Sequence, residues 1–175
     1  MKHDSKQAER RAVLAAADAM VAAARTAPKG RGIDRLETWI LEGDEKNAFA
    51  ERMRACGKEL GAAFFERDAK NIEQAQALVL LGVDVAQYGL NCGYCGKETC
   101  AQASEEGICC AFASTDLGIA IGSAVSVAAN CRIDNRVMYS TGKTAIMSGV
   151  FSENIKVAFG VPLSVSGKNP FFDRG

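Results

Sequence analysis

Five of the seven cysteines fall within twenty residues, in Asn91–Cys110 (NCGYCGKETCAQASEEGICC), while the chain has a single histidine, His3. Thiolates are soft ligands that select zinc, Cu(I) or iron–sulfur clusters. Cys92, Cys95 and Cys100 read C-x2-C-x4-C, and Cys109 and Cys110 follow within ten residues, so one short segment can wrap a single centre. Zinc sites usually pair two C-x2-C knuckles, and only the first half of that pattern is clean here. Gly93 and Gly96 in CGYCG supply turns and backbone N–H groups that can point at cluster sulfides, which favours an iron–sulfur cluster over zinc or a thiol/disulfide switch. The fourth ligand is Cys109 or Cys110; neighbours in an extended segment point in different directions, so only one is expected to reach the same centre. Cys56, on an apolar helical face, and Cys131 read as small buried hydrophobes.

Other chemistry is mostly excluded. With His3 near the N-terminus, neither a catalytic triad nor a Cys–His pair has a candidate base. Ser140–Ala145 (STGKTA) contains the GKT of a phosphate loop, but Val137 stands where that loop needs its first glycine, so the stretch reads as a helix start. Glu105 and Glu106 read as a solvated pair. Arg25, Lys29, Arg31 and Arg35 surround a Pro-Gly turn, where they form either an anion site or a solvated rim.

The elements that must hold the cysteines follow from periodicity. The chain's 175 residues suit one domain with the cysteine-rich loop 91–110 inside it. Apolar positions three or four apart predict helices over Asp4–Arg25, from Asp44 to about Gly61, and over Phe65–Gln76. Arg35–Leu41 and the nearly continuous apolar run Ala77–Ala86 read as strands, the second covered on both faces and leading directly into the cysteine loop. Asp116–Ala129 reads as a helix started by Asp116, with Gly118, Gly122 and Ser126 leaving one side bare for close packing. An extended piece (DNRVMYS), a helix over Thr141–Ser148 and a buried strand over Asn154–Val165 complete a layered domain with a mixed sheet.

Lys plus Arg and Asp plus Glu total 21 each, so no basic field attracts nucleic acid. The nearly apolar run Leu117–Ala129 is shorter than the roughly 20 residues of a membrane span, and the N-terminus lacks a signal-peptide core. These features set the expectation of a cytoplasmic protein bound to neither nucleic acid nor membrane.

The phrases CGYCGKETC, CAFASTDLGIAIGSAVSVAA, DNRVMYSTGKTA and GVPLSVSGKNPFFDR together resemble the uncharacterised family of ferredoxin-domain-containing proteins. That resemblance implies a [4Fe-4S] cluster held by Cys92, Cys95, Cys100 and, through the phrase CAF, Cys110. AARTAPKGRGIDRLETWIL, DLGIAIGSAVSVAA and KVAFGVPLSVSGK are similar to segments of the nitroreductase fold of FMN-dependent oxidoreductases. This second likeness implies an α+β sandwich, an intertwined homodimer and FMN between subunits, with Ser164, Ser166, Lys168 and Arg174 as phosphate neighbours. An alternative role for the tail is to pack Phe171 and Phe172 on a partner. The functional expectation is a redox protein passing electrons to a partner protein or a flavin, with FMN-dependent oxidoreductase activity as a further possibility. The alternative is a zinc-binding or thiol-switch interaction module.

Overall fold

The computed structural model describes residues 2–172, in the element order α1 Ser5–Thr26, β1 Leu36–Glu42, α2 Gly43–Glu59, α3 Phe64–Gln74, β2 Ala77–Asp84, α4 Cys100–Glu105, α5 Ala111–Asn130, β3 Asp134–Asn135, α6 Tyr139–Met147 and β4 Ile155–Ser164. The strands form one sheet in the order β1-β2-β4-β3. On β2, Ala77, Val79, Leu81 and Val83 enter a core shared with α1 and α5, while Leu78 and Leu80 enter a second core with Phe49, Met53, Ile72 and Phe171. Both faces are covered, so the strand reads as a continuous apolar run, and each large side chain it buries contributes about 1.5–3 kcal/mol.

Every pairing among the described strands is antiparallel, which corrects the expected mixed sheet. The connections explain this. Between β1 and β2 the chain leaves along α2 and returns along α3, so Glu42 ends up opposite Ala77. Between β2 and β4 it travels out along α5 and back along α6, which puts Asp84 opposite Ile155. A single crossover helix would have given parallel strands instead.

The helix expected from Asp116 begins five residues earlier, at Ala111, and Cys110 is its N-cap. Asp116 does not cap it, because its carboxylate is used in a buried tertiary contact described below. At 20 residues, α5 is long and apolar enough to cross a membrane by length and composition alone; here it packs along α1 and against the sheet. The bare stripe does not pack within the chain: a Cβ on Gly118 or Gly122 would meet nothing within 4 Å. The close approach occurs elsewhere, where α6 lies on β4 and a Cβ on Gly142 would strike the Ala158 carbonyl. The GKT glycine is therefore a packing glycine inside α6.

Candidate metal centre

The segment leaving β2 is held before it reaches the cysteines. Asp84 accepts a 2.9 Å hydrogen bond from Ala86 N–H, and Arg35 donates to the carbonyls of Ala86 and Gln87. The Arg35 guanidinium lies 4.3 Å from the centre of the Tyr88 ring, and Arg31 donates to the Tyr88 carbonyl at 2.6 Å. Tyr88 is buried, and its hydroxyl donates to Asp116 at 2.8 Å. The same carboxylate accepts Gly30 N–H at 2.9 Å, joining the turn after α1, the cysteine segment and α5. Burial, followed by the hydrogen bond to Asp116, pushes the Tyr88 phenol above its ordinary range, so it stays a donor.

The anion site considered for the basic turn does not form. Arg31 and Arg35 bind loop carbonyls, and Lys29 caps the end of α1 through the carbonyls of Ala24, Arg25 and Ala27. Arg25 pairs with Asp34 and donates to the Leu36 carbonyl. These cations satisfy backbone acceptors that the irregular segment would otherwise leave open.

Inside the loop, Gly93 (φ +75°) and Gly96 (φ +82°) make the expected turn, closed by a 2.9 Å bond from Gly96 N–H to the Gly93 carbonyl. Thr99 caps a six-residue helix, α4, that starts at Cys100 and escapes sequence reading because its face is polar and its length is under two turns. Lys97 bridges to Glu106 at 2.5 Å, and this charge-assisted hydrogen bond holds the Glu106 carboxyl below its ordinary value of 4.5. The loop closes where Cys110 N–H donates to the Val85 carbonyl at 2.9 Å.

Cys92, Cys95, Cys100 and Cys110 all line one surface hollow, together with Tyr88 and Phe112. Cys110 is 5% exposed and belongs to the α1/α5 core, whereas Cys92 is open to solvent. Cys109 is exposed and is not part of the wall, because Cys110 occupies the inward position at the start of α5. The four thiols ring the hollow: among the described residues no three His, Cys, Asp or Glu side chains converge closely enough for one metal ion. Four thiol side chains on one wall are a soft donor set, of the kind that holds zinc or an iron–sulfur cluster. Tyr94 stacks on Phe112 with ring centres 5.5 Å apart, tying the first knuckle to α5. Cys56 is buried on α2, and Cys131 is exposed at the end of α5, which corrects its reading as a buried hydrophobe.

The tail residues lie elsewhere. Ser164 is buried at the end of β4 and pairs with Asp134, at the end of the sheet where β2 begins. Eight residues of β2, about 25 Å, separate that end from the cysteine segment. Ser166 and Lys168 follow it on the exposed turn, the Ser166 hydroxyl donating to the Lys168 carbonyl at 2.5 Å, while Arg174 lies outside the described residues. Phe171 is buried in this chain's own second core, and Phe172, exposed, lies beside Arg136.

Residues 106–174 match the family model described as "Uncharacterized protein containing a ferredoxin domain" (DUF2148). A full-length relative from Archaeoglobus fulgidus, described as an uncharacterized protein, is 39% identical over 180 residues, covering 98% of this chain and 96% of the relative. The chain belongs to this ferredoxin-domain family. The stretch matched by the family model takes in Cys110, α5, α6 and β4 but begins after Cys92, Cys95 and Cys100.

For the fold of this family member, solved structures are informative. A nitroreductase with bound FMN from Desulfitobacterium hafniense superposes with a TM-score of 0.59 at 17% identity, covering 96% of this chain and 80% of that one. Another nitroreductase with bound FMN, from Bacteroides fragilis, gives 0.62 at 16% identity, covering 87% and 77%. The fold is that of the nitroreductases, a helix/sheet sandwich that here carries a cysteine loop between β2 and α5.

Sequence reasoning did not single out Asn91 or Tyr88, and it took Asp116 only as a helix start. Asn91 had a local signal, an Asn preceding a C-x2-C knuckle where a positive φ is useful, whereas Tyr88 and Asp116 are identified only by each other.

Proposed function

We propose that this protein is an iron–sulfur electron-transfer protein in which Cys92, Cys95, Cys100 and Cys110 hold a [4Fe-4S] cluster. The observation that carries the reading is the hollow walled by these four thiols, with the adjacent Cys109 outside it. Membership of a ferredoxin-domain family supports it. Such a cluster, when bound, supplies one-electron exchange.

The chain's own residues prepare the place. Asn91 N–H points at the Cys100 sulfur, and the amino end of the 20-residue α5 starts at Cys110; both put positive potential beside thiolates. Tyr88 and Phe112 close the inner wall against water, while the exposed Cys92 leaves the outer wall near the surface for electron exchange. Cytoplasmic conditions suit a chain whose seven cysteines are all free.

The flavin link belongs to the same proposal. Loop and tail lie at opposite ends of one chain, so a flavin near both requires a second copy. Two chains packed antiparallel along the exposed Gly118/Gly122 side of α5 would bring the Cys110 end of one beside the Asn130 end of the other, near its Ser164–Lys168 tail. The fold neighbours with bound FMN support the flavin part of this reading.

Anaerobic purification followed by iron, sulfide, zinc and flavin analysis tests it. About four irons and four sulfides per chain, lost in Cys110→Ser, is the expected result. One tightly held zinc with no iron under the same conditions would overturn the cluster and favour the interaction-module alternative.

A further inference from the structure

Asn91 and Cys100 make two reciprocal hydrogen bonds. Asn91 N–H donates to Cys100 Sγ at 3.3 Å, and Cys100 N–H donates to Asn91 Oδ1 at 2.7 Å. Asn91 has φ +47°, a left-handed conformation that asparagine tolerates better than most side chains. That conformation turns both its N–H and its carboxamide toward the start of α4, whose first-turn N–H groups have no partner within the helix. Thr99 satisfies Gln102 N–H, and Asn91 satisfies Cys100 N–H. The loop between them, including Cys92 and Cys95, is thereby closed at its base.

We infer that Asn91 is a positioning residue that fixes the Cys100 side chain at the wall of the hollow before any metal arrives. The backbone arm holds the sulfur itself, and the side-chain arm fixes the backbone from which that sulfur projects. The inference deepens the cluster reading, but its first test does not depend on it. Asn91→Gly keeps the left-handed backbone and removes only the carboxamide, whereas Asn91→Asp keeps the acceptor oxygen.

In metal-free, reduced full-length protein, alkylation of Cys100 by iodoacetamide is measured by peptide mass spectrometry relative to Cys131 in the same molecule. Loss of one hydrogen bond predicts a ratio about fivefold higher in Asn91→Gly, returning near the wild-type ratio in Asn91→Asp. Equal ratios in wild type and Asn91→Gly would overturn the inference, and so would a rise in Asn91→Asp equal to that in Asn91→Gly. Reconstitution with iron and sulfide then follows cluster loss to a chelator, expected to be about fivefold faster in Asn91→Gly than in wild type. A wild-type chain that takes up no iron would overturn the cluster reading, while the alkylation ratios would still decide the role of Asn91.

Discussion

The Tyr88 hydroxyl lies 2.8 Å from the buried carboxylate of Asp116, and this contact joins the cysteine segment to the core helix α5. The carboxylate has two donors, Tyr88 O–H and Gly30 N–H, from chain positions 58 residues apart (88 − 30).

Asp116→Ala would strand the Gly30 N–H and leave the Tyr88 O–H only a long 3.4 Å bond to the Ile33 carbonyl, so a loss of about 2–4 kcal/mol is expected. Tyr88→Phe removes one arm and should cost about 1–2 kcal/mol. Urea unfolding of the metal-free chain measures both, and a loss in Asp116→Ala no larger than in Tyr88→Phe would contradict the shared-acceptor arrangement.

The two adjacent cysteines should behave oppositely. Cys110→Ser is expected to lose most bound iron, whereas Cys109→Ser should retain wild-type content, as measured by iron analysis after anaerobic reconstitution. Retention in Cys110→Ser with loss in Cys109→Ser would exchange their roles.

Glycine-to-alanine changes should differ in sign between two helices. Gly142→Ala drives a methyl into the Ala158 carbonyl and is expected to cost about 1–3 kcal/mol or more, since backbone cannot move aside cheaply. Gly122→Ala meets open space within the chain and should raise the stability of a single chain by up to about 1 kcal/mol. If α5 forms the proposed dimer face, the same change weakens dimerisation. Thermal unfolding and sedimentation together separate the two effects.

Glu106 gives the loop a pH dependence. The hydrogen bond from Lys97 lowers its folded value below the ordinary 4.5, so the contribution is fully present above 4.5 and is lost as pH falls through the depressed value. Protection of the amides in residues 97–106, measured as exchange relative to the intrinsic rate at each pH, should therefore fall below pH 4.5, and Glu106→Gln should remove that dependence. Because the pair is exposed, the effect is local opening of the loop rather than global unfolding.

Some of this was legible in the sequence, and the reasons differ from residue to residue. β2 declared itself because both its faces are covered, and the C-x2-C-x4-C segment because thiol spacing is local information. The start of α5 was misplaced because Asp116 looks like a cap, whereas its real partners come from two remote segments. Strand direction was missed because it depends on paired helices returning the chain to the same end of the sheet. The basic turn was ambiguous because a guanidinium serves a carbonyl as readily as a phosphate, and only coordinates show which is present.

Cys110 lies in the hydrophobic core, whereas Cys92, Cys95 and Cys100 belong to a loop outside it. The proposed site is thus hinged: one of its thiols is as permanent as the fold, and three can be reached by solvent, oxidant or a delivery protein. Damage should proceed from the outside inward: Cys110 is set in place by folding itself and should be the last thiol to be lost.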